Sequence, residues 1–227
     1  NVEVLKGIGA AQSLDLDEAA TRVLIDLQLQ EAGWEADTEV LTHAKGARPQ
    51  KGKSMAIAEW PTGNGVADYV LFVGLTPVAV VEAKRKNKDV SASLEQSKRY
   101  SRAYSFAAGK TPPGGPWGEY QIPFLFSSNG RPFLRQLKEK SGIWFLDVRR
   151  PQNHARALEN WYTPKGLEGL LAQDVDQAHH KLAQEGFEYL GLRGYQVEAV
   201  QAVEAAIAAG QQDILVAMAT GTGKTKT

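Results

Sequence analysis

Gly65-Val66-Ala67-Asp68-Tyr69-Val70-Leu71-Phe72, followed by Val80-Val81-Glu82-Ala83-Lys84, is the stretch on which the reading of this 227-residue chain turns. Both halves are short apolar runs rich in β-branched and aromatic residues, and they read as two strands joined by a turn around Gly74. An Asp, a Glu and a Lys stand at their ends. Buried strands have no packing use for such charges, because burying one costs free energy unless it is paired. Side chains alternate along a strand, so Val78, Val80, Glu82 and Lys84 share one face, as do Asp68, Val70 and Phe72. Register decides whether Asp68 meets Glu82. A three-residue loop, Gly74-Leu75-Thr76, pairs Val73 with Pro77 and Asp68 with Glu82. A regular two-residue loop, Leu75-Thr76, sets Asp68 opposite Ala83, on the wrong face. The spacing therefore predicts an odd loop or a bulge.

Asp68, Glu82 and Lys84 have a coherent chemical task. Two carboxylates held together repel unless a cation sits between them, and Mg²⁺ takes oxygen ligands while keeping waters and substrate phosphate in its shell. Such an ion polarises a phosphoryl oxygen and lowers the pKa of an attacking water. Lys84 would orient or help deprotonate that water and stabilise the growing negative charge. Arg85, Lys86 and Lys88 follow directly and could hold phosphates. The plainer reading is a pair of strand-end carboxylates neutralised by a lysine.

The charge distribution bears on that choice. The formal net charge is zero, yet residues 1–44 hold 2 basic and 9 acidic side chains, and residues 45–102 hold 11 basic and 5 acidic. A basic segment thus surrounds the candidate site, as expected of a local phosphate-binding surface, although a solvated face has the same composition. The chain has no Cys, which excludes disulfides and thiolate metal sites and fits a reducing cytoplasm. No apolar run reaches the roughly 18–20 residues of a membrane span, so no membrane partner is expected.

Along the chain, residues 13–33 read as an amphipathic helix with Ala19, Ala20, Val23, Leu24, Leu27 and Ala32 on the apolar face and Gly33 as its stop. Glu18 pairs with Arg22 across a turn or reaches the metal. Trp34 reads as core. Strands are expected over Thr38–His43 and Ser54–Trp60, with Lys45, Arg48, Lys51 and Lys53 in the loop between them, either as a DNA-backbone contact or as a solvated tip. A helix over 91–107 sets Gln96 and Tyr100 on one face. Ile122–Ser127 and Ile143–Val148 read as further strands, and residues 152–187 as a polar helical connector. A helix over Tyr195–Ala209 then leads to an apolar strand, Asp213–Met218, and to Ala219-Thr220-Gly221-Thr222-Gly223-Lys224-Thr225. Backbone N–H groups of that glycine loop would wrap phosphates, with Lys224 on the β/γ oxygens and Thr225 on Mg²⁺.

Asp68…Glu82-Ala83-Lys84 resembles the PD-(D/E)xK nuclease signature, with Ala67 where the first Pro of the name would stand. Gln96-Ser97-Lys98-Arg99-Tyr100 resembles the QxxxY motif of one large branch of that superfamily. The resemblance implies a metal held by Asp68, Glu82 and the backbone carbonyl of Ala83, with Gln96 and Tyr100 supporting the site or touching DNA. Met218-Ala219-Thr220-Gly221-Thr222-Gly223-Lys224-Thr225 resembles motif I of superfamily 2 helicases, and Leu192-Arg193-Gly194-Tyr195-Gln196 resembles their adenine-reading Q motif. ATP binding by Arg193, Gln196, Thr220, Gly221, Thr222, Gly223, Lys224 and Thr225 is thereby implied. No Walker B acid can follow in the two remaining residues, so this chain is not expected to hydrolyse ATP.

A nuclease core, a connector and a motor start, in that order, resemble the motor (R) subunit of type I restriction enzymes. The family implies an ATP-driven translocase that cleaves double-stranded DNA away from its recognition site, in complex with modification and specificity subunits. The expected fold is α/β: a PD-(D/E)xK restriction-endonuclease-like core with a mixed central β-sheet flanked by helices, plus a truncated RecA-like motor start. The expected domains are 1–150 (nuclease), 151–187 (connector) and 188–227 (motor start). A type III-like or other defence nuclease–helicase, and a catalytically spent DNA-binding module, are the alternative readings.

Overall fold

The computed structural model describes residues 19–85, 88, 90–106, 111–211 and 213–223. Glu18, Lys86, Lys224 and Thr225 lie outside the described residues, as do residues 13–18 of the first expected helix. The chain divides into two compact units, residues 1–172 and 173–227.

The first unit is built on a seven-stranded mixed sheet in sequential order: β1 (Glu35–Ala36), β2 (Ser54–Thr62), β3 (Gly65–Val73), β4 (Thr76–Ala83), β5 (Phe124–Ser128), β6 (Ile143–Asp147) and β7 (Arg156–Ala157). β1 runs parallel to β2 and β4 parallel to β5; the other neighbours are antiparallel. A parallel pair needs a crossover. For β4 and β5 the crossover contains α2 (Leu94–Arg102), which packs back onto both strands. The central strands β4 and β5 are buried almost throughout, as expected for strands covered on both faces.

Two apolar layers result. On one face Ile25 and Leu29 of α1 (residues 19–31), Trp34, Trp161 and Leu167 of α3 (Pro164–Ala172) pack against Tyr69, Leu71, Val81, Phe126 and Phe145. On the other, Leu94 and Tyr100 of α2 pack against Val70, Phe72, Val80 and Leu125. Arg149 ties α3 to the sheet: its guanidinium bonds both oxygens of Asp147, donates to the Leu170 carbonyl and lies over the Phe124 ring.

The β3–β4 turn carries the register expected for the candidate site, by a route that combines the two alternatives. The loop is the two-residue Gly74-Leu75, pairing Val73 with Thr76 and Phe72 with Pro77. A bulge then admits Val78 as an extra residue, so that Leu71 pairs with Ala79 and Tyr69 with Val81. Continuing that count sets Asp68 against Glu82. A bulge places two residues of one strand opposite one of the other and shifts every later side chain by one face.

Several expectations are corrected. Val23, Leu24 and Leu27 of α1 are exposed, and the buried stripe is Thr21, Ile25 and Leu29. Both rows have helical spacing, and the sheet chose the second. Residues 38–43 form turns and a single bridge, Thr42 to Ala58, not a strand. Asp37 Oδ1 accepts from the N–H of Glu39 and Val40, and Asp26 captures the N–H and hydroxyl of Thr38, so local side chains take the donors a ladder would need. Residues 152–172 are no loose connector: Trp161 and Leu167 are buried in the first core, and the compact unit extends past the expected boundary at 150 to Ala172.

The second unit holds α4 (Val175–Gln184) and α5 (Gly194–Ala208). The expected strand over Asp213–Met218 is absent; Leu215 is 94 % exposed. A strand needs a neighbour for its backbone groups, and none of the described residues pairs with this one.

Candidate active site

β3, β4 and α2 converge on one cleft lined by Val66, Asp68, Glu82, Ala83, Lys84, Arg85, Lys88, Gln96 and Tyr100. The bulged register brings Asp68 and Glu82 opposite one another and onto the same face. Asp68 Oδ2 accepts from Ala83 N at 2.7 Å, and Oδ1 accepts from Arg22 Nη2 at 2.5 Å. Lys84 Nζ donates to Glu82 Oε1 at 2.5 Å and to Gln96 Oε1 at 3.1 Å; Gln96 Nε2 donates to the Tyr100 hydroxyl at 2.6 Å. The backbone of Lys84 is fixed by its N–H to the Ser128 carbonyl, 2.7 Å. Tyr100 and Gln96 are thus joined to the lysine by a chain of hydrogen bonds, four residues apart on one helix face as their spacing predicted.

Burial shapes the electrostatics. Glu82 is 3 % exposed, and its carboxyl is pushed up to about 7, first by burial and then by the charge of Asp68, with Lys84 opposing. Asp68 is raised by burial, against the pull of Arg22, the Ala83 N–H and Lys84. Tyr100 is also raised, chiefly by burial. Glu82 Oε2 is buried without a hydrogen-bond partner among the described residues. A buried carboxylate oxygen left in that state is costly and marks a place for a positive ligand.

Among the described residues no group of three or more His, Cys, Asp or Glu side chains is placed to hold a metal. The expected donor set has only two carboxylates, with the Ala83 carbonyl as third oxygen. The hard-oxygen chemistry of that set and the orphaned Glu82 Oε2 fit a Mg²⁺-type ion. Arg85 is half-buried and Lys88 exposed at the cleft. The flanking cations are less available than a charge count suggests. Lys98 pairs with Glu95, Arg102 with Glu119, and Lys53 with Glu35, while Lys45 and Arg48 donate to backbone carbonyls.

Two residues at this site escaped the sequence reading. Arg22 binds Asp68 directly and lies 3.6 Å from Glu59. Glu59, in the middle of β2, has a φ of +54°. A non-glycine residue in the left-handed region costs about 1–3 kcal/mol and persists only where its surroundings impose it. An acidic residue inside an alternating strand gives no sequence signal of that conformation.

In the second unit, Gln196 is buried at the start of α5. Its Oε1 accepts from Arg193 N at 2.9 Å, and its Nε2 donates to the carbonyls of Thr222 (3.4 Å) and Gly223 (3.1 Å). Tyr195 OH also donates to the Thr222 carbonyl, 2.9 Å. Gly223 has φ +79°, and a Cβ there would stand 3.0 Å from Gln196 Nε2. The structure therefore brings Gln196 and Tyr195 against the 219–223 loop, with Thr220 and Gly221 in its turn, and Arg193 reaches it only through its bonds to those two residues.

The comparisons with known proteins agree with this layout. A family model described as the second domain of the type I restriction enzyme EcoKI endonuclease subunit matches residues 35–171, more than half the chain. A model described as the type III restriction enzyme res subunit matches residues 189–227. The chain belongs to the family of type I restriction enzyme endonuclease subunits. It is 45 % identical to the EcoKI endonuclease subunit of Escherichia coli K12 over 245 residues, covering 95 % of this chain and 21 % of that protein. It is 27 % identical to the EcoAI endonuclease subunit of Escherichia coli over 209 residues, covering 86 % of this chain and 22 % of that protein. Among solved structures, a fragment assigned as an HsdR subunit of a type I restriction enzyme from Vibrio vulnificus YJ016 aligns with TM-score 0.39 and 23 % identity, over 92 % of this chain and 36 % of that one. The chain spans about a fifth of the length of the curated relatives it matches.

Proposed function

We propose that residues 1–172 are the nuclease part of a type I restriction subunit and hydrolyse phosphodiester bonds of double-stranded DNA with Mg²⁺. The observation that carries this reading is the meeting of Asp68, Glu82 and Lys84 in one cleft at the end of β4, with Glu82 Oε2 buried and unpartnered among the described residues. Asp68, Glu82 and the Ala83 carbonyl would hold the ion. When bound, it supplies Lewis-acid polarisation of the phosphate and a more acidic water. Lys84, braced by Glu82 and Gln96, orients that water and offsets the charge that grows on the phosphate. Gln96 and Tyr100 keep the lysine in place. Arg85 and Lys88, with Lys86 between them in sequence, hold the DNA backbone.

The second unit, in the same proposal, begins an ATP-binding motor. Gln196 and Tyr195 on the 219–223 loop support it, and Lys224 and Thr225 complete the phosphate cradle by sequence. The division into nuclease, connector and motor start is retained, with residues 151–172 belonging physically to the nuclease unit. The whole protein would act in the cytoplasm with modification and specificity subunits. No helix among the described residues is long and apolar enough to cross a membrane.

The test is cleavage by the assembled complex with Mg²⁺ and ATP. Asp68→Ala should lower cleavage at least about a hundredfold, the order expected on losing a charge-stabilising group at the reacting centre, while ATP hydrolysis continues. Equal cleavage by wild type and Asp68→Ala would refute the assignment and favour a DNA-binding module without nuclease chemistry.

A further inference from the structure

We propose that Arg22 competes with the metal ion for Asp68, and that Glu59 is a positioning residue that draws the guanidinium away when the ion binds. The inference rests on the nuclease reading of Asp68 and Glu82.

Three observations carry it. Arg22 Nη2 lies 2.5 Å from Asp68 Oδ1, and Nη1 lies 3.6 Å from Glu59 Oε1. The two nitrogens belong to one planar, permanently charged fork, so a single side chain already spans both carboxylates. The Asp68 contact is within hydrogen-bond distance; the Glu59 contact lies beyond it. A small rotation of the guanidinium would exchange the two. Secondly, Glu59 stands in β2 between Ala58 and Trp60, which pair with Tyr69 and Ala67 and so bracket Asp68 on β3. Its left-handed backbone, φ +54°, is a conformation that Gly, Asn or Asp would bear more easily. A strained acidic residue directly across from a metal-ligand candidate points to a requirement for its carboxylate there. Thirdly, among the described residues Glu82 Oε2 is buried and unpartnered while Asp68 has donors on both oxygens. The carboxylate pair thus has one half open and one half engaged. An ion entering at Glu82 gains Asp68 fully only as the Arg22 charge recedes.

The two carboxylates therefore have opposite effects on one arginine. Asp68 holds it where it opposes a divalent ion; Glu59 holds it where it balances the acidic cluster from the side. Glu59 touches neither the ion nor the substrate and acts through Arg22.

The experiment measures Mn²⁺ binding, by electron paramagnetic resonance, to the nucleotide-free full-length subunit at about 0.3 M salt, where exposed charges are largely screened. The site of interest is the one lost in Glu82→Gln. Arg22→Met should tighten it by about tenfold, and Glu59→Gln should weaken it by a similar factor, the scale of one charge-assisted hydrogen bond. In the double variant the Glu59 effect should vanish to within about twofold, because its target is gone. Weaker binding in Arg22→Met, or a Glu59 effect that persists without Arg22, would overturn the proposal. Should Arg22→Met fail to fold, Arg22→Lys carries the test: a lysine cannot span both carboxylates, so Glu59→Gln should change nothing in that background. Absence of any Glu82-dependent Mn²⁺ site, in wild type and in Arg22→Met, would remove the metal reading itself. A site present but unmoved by either substitution would remove only the role of Arg22 and Glu59.

Discussion

Glu59 and Glu82 are both acidic residues held under adverse conditions, one by its backbone and the other by burial. Their substitutions should behave accordingly. Asn tolerates the left-handed region, so Glu59→Asn should raise stability by about 0.5–1 kcal/mol in urea unfolding while losing metal affinity. At Glu82 the direction follows from protonation. Its carboxyl titrates near 7 when folded, against 4.5 without burial, so the folded state binds more protons between those values. The resulting stabilisation is complete below pH 4.5 and is lost as the pH rises through about 7. Glu82→Gln should therefore make the metal-free protein more stable than wild type at pH 8, by roughly 1–3 kcal/mol, with no advantage at pH 4. Chemical denaturation across that pH range checks it. The placement of Asp68, Glu82, Lys84, Gln96 and Tyr100 beside one another was legible because strand alternation and i, i+4 spacing are local rules. Arg22 and Glu59 were not, since nothing local places α1 beside β3 or turns one residue of β2 out of extended geometry.

Elements with two covered faces were the easiest to read. β4, β5 and β6 are apolar runs bounded by breakers, and α2 follows from its spacing. Elements with competing faces were not. α1 is apolar on two sides, and only the sheet decides that Ile25 and Leu29 go in while Leu24 and Leu27 stay out. The 38–43 segment alternates like a strand, yet Asp26 and Asp37 bind its donors first. α3 looked like part of a polar connector because Leu167 is its one fully buried residue, with Leu170 and Leu171 only partly covered, and Gly166 and Gly169 dilute the pattern. Leu167→Ala should cost about 2–5 kcal/mol, read as a lowered urea midpoint with unchanged slope. A connector-like helix would lose almost nothing.

At the scale of the molecule, the compact unit ending at Ala172 and the family match ending at residue 171 fall together. A protein ending at residue 172 should unfold in one cooperative transition by circular dichroism. One ending at residue 150 lacks Trp161, Leu167 and the β7 edge, and should be destabilised by at least about 3–5 kcal/mol relative to it, the cost of vacating a large core site. The 189–227 segment was legible through its motif and not through its conformation. Its apolar 213–218 run has the composition of a buried strand, and the pairing that would make it one involves no other described residue.

The extra residue Val78 gives the β3–β4 hairpin a parity. Between Val73 and Glu82, changes of chain length by two leave the carboxylates on the cleft side. An insertion of one residue turns Glu82 toward α1 and α3, away from Asp68, with almost no loss of apolar content. Removal of Val78 alone should leave a regular two-residue hairpin in which Leu71 still meets Ala79 and Asp68 still meets Glu82, whereas one residue inserted beside it should turn Glu82 into the wrong layer. Natural lengthening of this hairpin is expected to come in steps of two.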